Sequence, residues 1–439
     1  MSNISKRLAD LSPEAKRALL GQLLRKKATD NQSKADQMVS TADSSAAINV
    51  TDLNAEAVLD PNICSEAAPV EHVAEPSHIF LTGATGYLGA FLLYELLQQT
   101  KADIYCLVRS PNAEEGKQRL QGNLESYSLW NEGLGSRIIP VTGDLSKPYL
   151  GLSAEQFQMM ASQIDVFYHS GALVSWIQPY HALKATNVSG TQEVLRLASK
   201  IKLKPVHFTS TIAVFPFGSH KVFREEDNLD HSEGLIGGYP QSKWVAEKLV
   251  TIARSRGLPV CIYRPGIITG HSQTGVCNRD NLMYRVIKGF IQLASAADVD
   301  RMVDMTPVNY VSRAIVHLSK QPDSLGKVFH LTNPQPLHMS KLLDWIQSFG
   351  YPLRRIPYDT WKRELFNLAE RFQENALYPF WAVLADLEEH QTIVPQSDCR
   401  NTLNGLTGTS IVCPPVDAEL LGTYFSYYFR SGFLDAPQR

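Results

Sequence analysis

Ile79-Phe80-Leu81-Thr82-Gly83-Ala84-Thr85-Gly86-Tyr87-Leu88-Gly89 is the stretch that decides the fold of this chain. A short apolar run of strand type leads into three glycines at three-residue intervals, and an apolar helical pattern (Ala90–Gln99) follows. Gly83 permits a sharp turn, Gly86 lets a pyrophosphate approach the backbone, and Gly89 allows the helix to pack tightly on the strand. The N–H groups at the start of that helix are available to an anion. Thr82, Thr85, Tyr87 and Leu88 complete the candidate cradle. A glycine triplet alone is a weak signal, but one placed between a first strand and a helix is strong.

The same alternation continues outward. Ile104–Val108, Ile138–Val141, Val166–His169, Val206–Thr209 and Val260–Tyr263 read as strands, with helical stretches between most of them, including Thr191–Ser199 and Lys243–Arg256. Strands alternating with helices imply right-handed crossovers and a parallel sheet covered on both faces. The fold class expected is α/β, a Rossmann-like doubly wound parallel sheet with a smaller, mostly helical C-terminal substrate lobe. Residues 76–270 are assigned to the nucleotide-binding domain, with a returning strand near 327–333, and 271–439 to the lobe. Tyr310, Phe329 and Trp361 are candidates to line a pocket or, more simply, core.

No Phe, Tyr or Trp precedes Phe80, so the first 79 residues carry little with which to build a core. Within them, 1–28 is a helical, docking-like segment. Ser12-Pro13-Glu14 forms a helix start, Leu11, Ala15, Leu19 and Leu23 follow at helical spacing, and Arg25-Lys26-Lys27 closes it. Residues 29–75 read as linker and lead-in. The 439 residues carry a net charge of −2, with 44% hydrophobic and 20% charged residues, which suits a soluble globular enzyme and gives no drive toward nucleic acid or anionic lipid. No apolar run reaches the length of a membrane span. The six cysteines show no metal-type spacing, which fits free thiols in a reducing cytoplasm and no metal site.

Two further features carry chemistry. Where the second strand ends, twenty residues past Gly89, the residue is Arg109 rather than the acid that would hold a ribose hydroxyl, and Arg119 follows ten residues on. Guanidinium groups there suit a 2′-phosphate, which favours NADPH over NADH. Asp144-Leu145, after the third strand, is placed to meet the adenine. Tyr239 and Lys243 lie four residues apart on one helix face. An ammonium near a phenol is expected to lower the phenol's pKa and make it a usable proton donor. Thr211, just past the fifth strand, is chosen to hold the substrate oxygen, with Ser210 and Thr209 as alternatives.

Gly83-x-x-Gly86-x-x-Gly89 and Tyr239-x-x-x-Lys243 resemble the two motifs of the extended short-chain dehydrogenases. The stretches 52–61, 80–89, 169–172, 187–191, 239–247, 263–266 and 306–311 bring the chain closer to one branch. It is similar there to the terminal thioester reductase domains of nonribosomal peptide and polyketide synthetases, and to the reductase domain of carboxylic acid and α-aminoadipate reductases. The resemblance implies Thr211, Tyr239 and Lys243 as catalytic trio and Arg109 with Arg119 as phosphate clamp. It also implies Ser170, Gly171, Ala172, Asn187, Tyr263, Pro265 and Gly266 as further cofactor contacts.

The activity so implied is NADPH-dependent reduction of an acyl or peptidyl thioester to an aldehyde, with onward reduction to the alcohol left open. The partner implied is an acyl- or peptidyl-carrier protein bearing a phosphopantetheine thioester, docked through residues 3–28. Because only the linker and that segment precede the reductase, the chain reads as one acting in trans. Asp323-Ser324-Leu325, which superficially matches a phosphopantetheine attachment tripeptide, reads as a turn. An acyl-CoA reductase of the same fold and a non-catalytic NADPH-binding scaffold stay open as alternatives.

Overall fold

The computed structural model describes residues 50–64, 75–219, 221–230, 232–367, 375–380, 383–384 and 387–437. The segment 3–28 read as docking helices lies outside the described residues. Leu53–Arg439 forms one compact unit.

Seven strands make its central sheet: β1 (His78–Thr82), β2 (Asp103–Val108), β3 (Ile138–Thr142), β4 (Val166–His169), β5 (Val206–Thr209), β6 (Val260–Pro265) and β7 (Val328–Leu331). Their spatial order is β7-β6-β5-β4-β1-β2-β3, and every pairing is parallel. Because both faces are covered, these strands are runs of apolar residues rather than alternating ones, as in the wholly buried Val-Phe-Tyr-His of β4. After β3 the chain crosses to the other side of β1 and continues with β4. That reversal opens a crevice beyond the C-terminal ends of β1 and β4, where ligands bind in sheets of this kind.

Helices α1 (Tyr87–Gln99), α2 (Ala113–Ser126), α3 (Gly190–Ser199), α4 (Gly238–Ser255) and α5 (Val308–Ser319) supply crossovers and cover. The chain entering α3 passes through Tyr180–Lys184 and a π turn at Ala185–Ser189. Helix α5 departs from expectation. It lies within the range assigned to the lobe, yet Tyr310, Val311, Ala314, Ile315 and Leu318 pack into the same core as Leu92, Leu93 and Leu96 of α1. Its apolar stripe therefore covers the sheet, ahead of β7.

A second core belongs to the C-terminal region and joins Tyr284, Phe290, Leu343, Trp361, Leu421, Tyr424 and Tyr428. Tyr310, Phe329 and Trp361, 4%, 2% and 4% exposed, are core residues and line no pocket mouth. Ser324 is buried in a 3₁₀ turn, Pro322–Ser324, so Asp323-Ser324-Leu325 is a turn before β7. The lead-in is tied down by Glu56–Lys184 and Asp60–Arg196 ion pairs, and Arg256 donates to the carbonyls of Leu59, Asp60 and Ile63. Among the described residues no helix is long and apolar enough to cross a membrane, and no cluster of side chains is suited to a metal. All six cysteines are free.

Candidate active site

The glycine turn and β4 meet at the crevice. Gly83 has φ +83°, and a Cβ there would lie 2.7 Å from the nitrogen of Gly171, so the exits of β1 and β4 touch backbone to backbone. A Cβ on Gly89 would lie 1.9 Å from the Gly83 carbonyl oxygen, which is why the helix can start so close to the strand. Helix α1 begins at Gly86 with no side-chain cap and no acid in its first turn. Open amides beside glycine backbone are the surroundings a pyrophosphate needs. The turn fits a dinucleotide.

Its supports lie elsewhere in the sequence. Asn123, on α2, donates to the carbonyls of Ala84 and Gly86 at 3.0 and 3.2 Å. His169 lies beneath, between Thr82 and Thr191, with Nδ1 2.7 Å from Thr82 Oγ1 and Nε2 2.9 Å from Thr191 Oγ1. The Thr191 hydroxyl donates to Asn187 O, so His169 Nε2–H donates to Thr191 and Nδ1 accepts from Thr82. Thr82 in turn accepts from the Gly171 amide at 2.9 Å. Burial first, then Lys243, pushes His169 down to about 3, so the ring is neutral. Thr82 thus turns its hydroxyl toward this buried chain. The Tyr87 hydroxyl also faces away from the crevice and donates to Thr269 O and Val276 O. Leu88 packs against the sheet core, and Thr85 is half-buried in the turn.

At the end of β2, Arg109 and Arg119 are both exposed, and the Arg119 guanidinium donates to the Arg109 backbone carbonyl at 2.7 Å, which holds one cation at the strand end. The Asp144 carboxylate accepts from Ser146 N and Oγ. Partial burial opposes its ionisation, but these bonds and the Arg109 charge hold it below the usual range. Leu145 packs on Gly171 and Gly190 at positions where a Cβ would collide with it.

Tyr239 and Lys243 lie in the first turns of α4, which starts after Gly237 at φ +82°. Thr211 caps a short 3₁₀ turn by accepting from Ala213 N, and its side chain lies beside the Tyr239 hydroxyl, where it favours the phenolate. That sets Thr211 apart from the other two hydroxyls, since Ser210 donates to Glu247 and Thr209 offers its carbonyl to Lys243 Nζ at 2.9 Å. The expected lowering of the phenol's pKa is reversed. Burial pushes Tyr239 up to about 12 against the lowering effect of Thr211. Burial also brings Lys243 down to about 7 against the Glu247 charge, and its ammonium sits 4.2 Å over the Phe208 ring. Taking both groups out of water outweighs their proximity, and Lys243 bonds a carbonyl rather than the phenol.

Tyr263 is a further correction. Its ring is fully buried, stacked on Phe329 and bonded to His207 Nδ1 at 3.1 Å, so it belongs to the core of β6 and offers the crevice no face. Pro265 is buried at the strand end. Gly266 is needed there because a Cβ would collide with Asp304, whose buried carboxyl is pushed up to about 6 by desolvation. Asn187 joins the Leu173 backbone to Ser242 Oγ. Ser170 and Ala172 flank Gly171 at the exit of β4.

A family model described as "Male sterility protein", an NAD-binding family, matches residues 81–315. The chain belongs to this reductase family. Among solved structures, the terminal R domain of the myxalamid PKS-NRPS biosynthetic pathway is 46% identical, with a TM-score of 0.84 over 88% of this chain and 99% of that one. A linear gramicidin synthase polypeptide of Brevibacillus parabrevis is 44% identical over 89% of this chain. L-2-aminoadipate reductase of Saccharomyces cerevisiae is 33% identical over 82% of it. The chain spans only 8% and 28% of those two relatives. It is an oxidoreductase of the extended short-chain dehydrogenase type, a reductase domain built to bind a nicotinamide cofactor.

Proposed function

We propose that this reductase uses NADPH to convert an acyl or peptidyl thioester, presented on the phosphopantetheine arm of a carrier protein, into an aldehyde. The observation that carries this reading is the placement of Tyr239 beside Thr211, with Lys243 one turn away, at the lip of a crevice that fits a dinucleotide.

When bound, the nicotinamide supplies a hydride to the thioester carbonyl carbon. The chain's part is to hold the oxygen on which charge develops. Tyr239, protonated throughout the neutral range, donates its O–H to that oxygen, and Thr211 offers a second donor. Lys243, held at the Thr209 carbonyl, would donate to the ribose hydroxyls when the cofactor is bound and, when charged, would favour the phenolate that Tyr239 becomes. Collapse of the hemithioacetal frees the carrier thiol and the aldehyde. Arg109 and Arg119 hold the 2′-phosphate, and the amides of residues 83–89 hold the pyrophosphate. A scaffold without chemistry would have no need of Tyr239 beside Thr211 and Lys243.

The test is loss of NADPH absorbance with one acyl group presented on a carrier and on CoA, with products identified by mass spectrometry. Aldehyde formation with a kcat/KM at least about tenfold higher from the carrier, a difference of ~1.4 kcal/mol, is expected. Equal values would favour the acyl-CoA reading, and no NADPH consumption the scaffold.

The cofactor preference has its own test. In the Arg109→Ala/Arg119→Ala variant, kcat/KM for NADPH should fall by roughly 100-fold while that for NADH stays unchanged, because each exposed guanidinium–phosphate bond contributes near the lower end of ~1.5–3 kcal/mol. Equal losses with both cofactors would remove the two arginines from the phosphate site.

A further inference from the structure

Between β4 and Tyr180 runs Gly171-Ala172-Leu173-Val174-Ser175-Trp176-Ile177-Gln178-Pro179, a loop without a charged residue. Leu173, Val174 and Ile177 are 38%, 60% and 53% exposed. Single apolar side chains in water are ordinary, but three exposed within one short uncharged loop call for an occupant.

The loop is not free to fold them away. Asn187 grips Leu173 by both backbone groups, at 2.7 and 3.0 Å, and donates to Ser242 Oγ at 2.9 Å. Further along, a Cβ on Gly238 would lie 2.4 Å from Tyr180 N and 2.5 Å from Gln178 O, so the loop's backbone lies against the start of α4. Ser242, which Asn187 reaches, and Gly238 both belong to α4, the helix that carries Tyr239. The Trp176 ring meets Tyr239 edge-on at 5.7 Å and Phe217 at 6.2 Å. Beside Phe217, Gly218 N–H donates to Ile393 O at 3.0 Å, which closes this side of the mouth with the C-terminal region.

We infer that Leu173, Val174 and Ile177, with Trp176 and Phe217, form the ledge that takes the apolar acyl part of the substrate beside Tyr239. The inference rests on the thioester reading and names the substrate class, a hydrophobic acyl chain. The absence of charge decides the occupant. A phosphate-bearing arm needs cations, which this loop lacks, whereas an alkyl chain needs only apolar surface next to its carbonyl. Trp176 sets that surface against the ring whose hydroxyl meets the carbonyl. Each methylene fully covered there strengthens binding by up to about fourfold.

The test uses alkyl thioethers of pantetheine, short, medium and long, which bind without reacting. With the wild-type protein and NADPH, Kd should fall as the alkyl chain lengthens. The Val174→Ser/Ile177→Ser variant should bind the shortest analogue as wild type does and the longest at least about tenfold more weakly. Both side chains are exposed, so folding is not at risk, and Leu173 is left intact because its backbone is clamped. The same dependence on length in variant and wild type would put the acyl chain elsewhere and overturn the inference. A loss seen only with carrier-borne thioesters, and not with pantetheine analogues, would assign the patch to the carrier and overturn it equally. Because thioethers report binding alone, failure of matching thioesters to turn over would strike the reductase reading and leave the ledge to be judged by its own Kd values.

Discussion

Tyr239→Phe is expected to lower kcat for thioester reduction by about 10²–10⁴-fold while leaving the Kd for NADPH unchanged. The substitution removes one oxygen. The ring stays, and with it the edge contact to Trp176 at 5.7 Å, so the mouth keeps its shape. What is lost is the O–H that burial keeps protonated, up to about 12. The carbonyl oxygen then gains charge with Thr211 as its remaining donor. Thr211→Val should give a smaller loss in the same direction, since Tyr239 remains as the proton donor. Single-turnover absorbance at saturating NADPH, with a separate titration of cofactor binding, makes the measurement. A Tyr239→Phe enzyme with wild-type kcat would remove Tyr239 from the chemistry and with it the mechanism above.

What could be read from the chain in advance was local. The glycine spacing at 83–89 and the Tyr239/Lys243 spacing lie within single turns of backbone, so a few adjacent residues specify them. The seven strands stand out because a doubly covered parallel sheet makes each one an apolar run. The misjudged features depend on distant partners. Tyr263 sits in a motif-like stretch, but the inner position of β6 puts its ring among Tyr168, His207 and Phe329, which no local pattern reports. The expected lowering of the Tyr239 pKa ignored how much water the fold removes from both Tyr239 and Lys243. Asn123 carries no signal of its own, since a helical asparagine is ordinary until the turn it supports is seen above it. Helix α5 was assigned to the lobe because its amphipathic pattern says that one face is buried but not against what.

The same blindness hid the buried ion pair below the active site, whose loss should be the largest stability effect in the molecule. Glu247, one turn beyond Lys243, and Arg264 on β6 are about 1% and 3% exposed, with Arg264 Nη2 2.6 Å and Nε 3.0 Å from Glu247 Oε1. The other carboxylate oxygen accepts from Ser210, the residue before Thr211. On the far side, His330 Nδ1 lies 2.8 Å from the Asp398 carbonyl and can only donate to it, which leaves Nε2 to accept from Arg264 Nη1 at 3.1 Å. Burial, then the Arg264 charge, holds His330 neutral, down to about 3. Every group in the chain is thus satisfied by the next, from the Thr211 strand end to the C-terminal region. Glu247→Ala leaves a guanidinium buried without its counter-charge, and the unfolding free energy should fall by roughly 3–5 kcal/mol in urea titrations. Replacing both partners together, Glu247→Leu with Arg264→Met, should recover most of that loss, because no uncompensated charge remains. A Glu247→Ala protein destabilised by less than about 1 kcal/mol, the range of an exposed pair, would mean that water reaches Arg264.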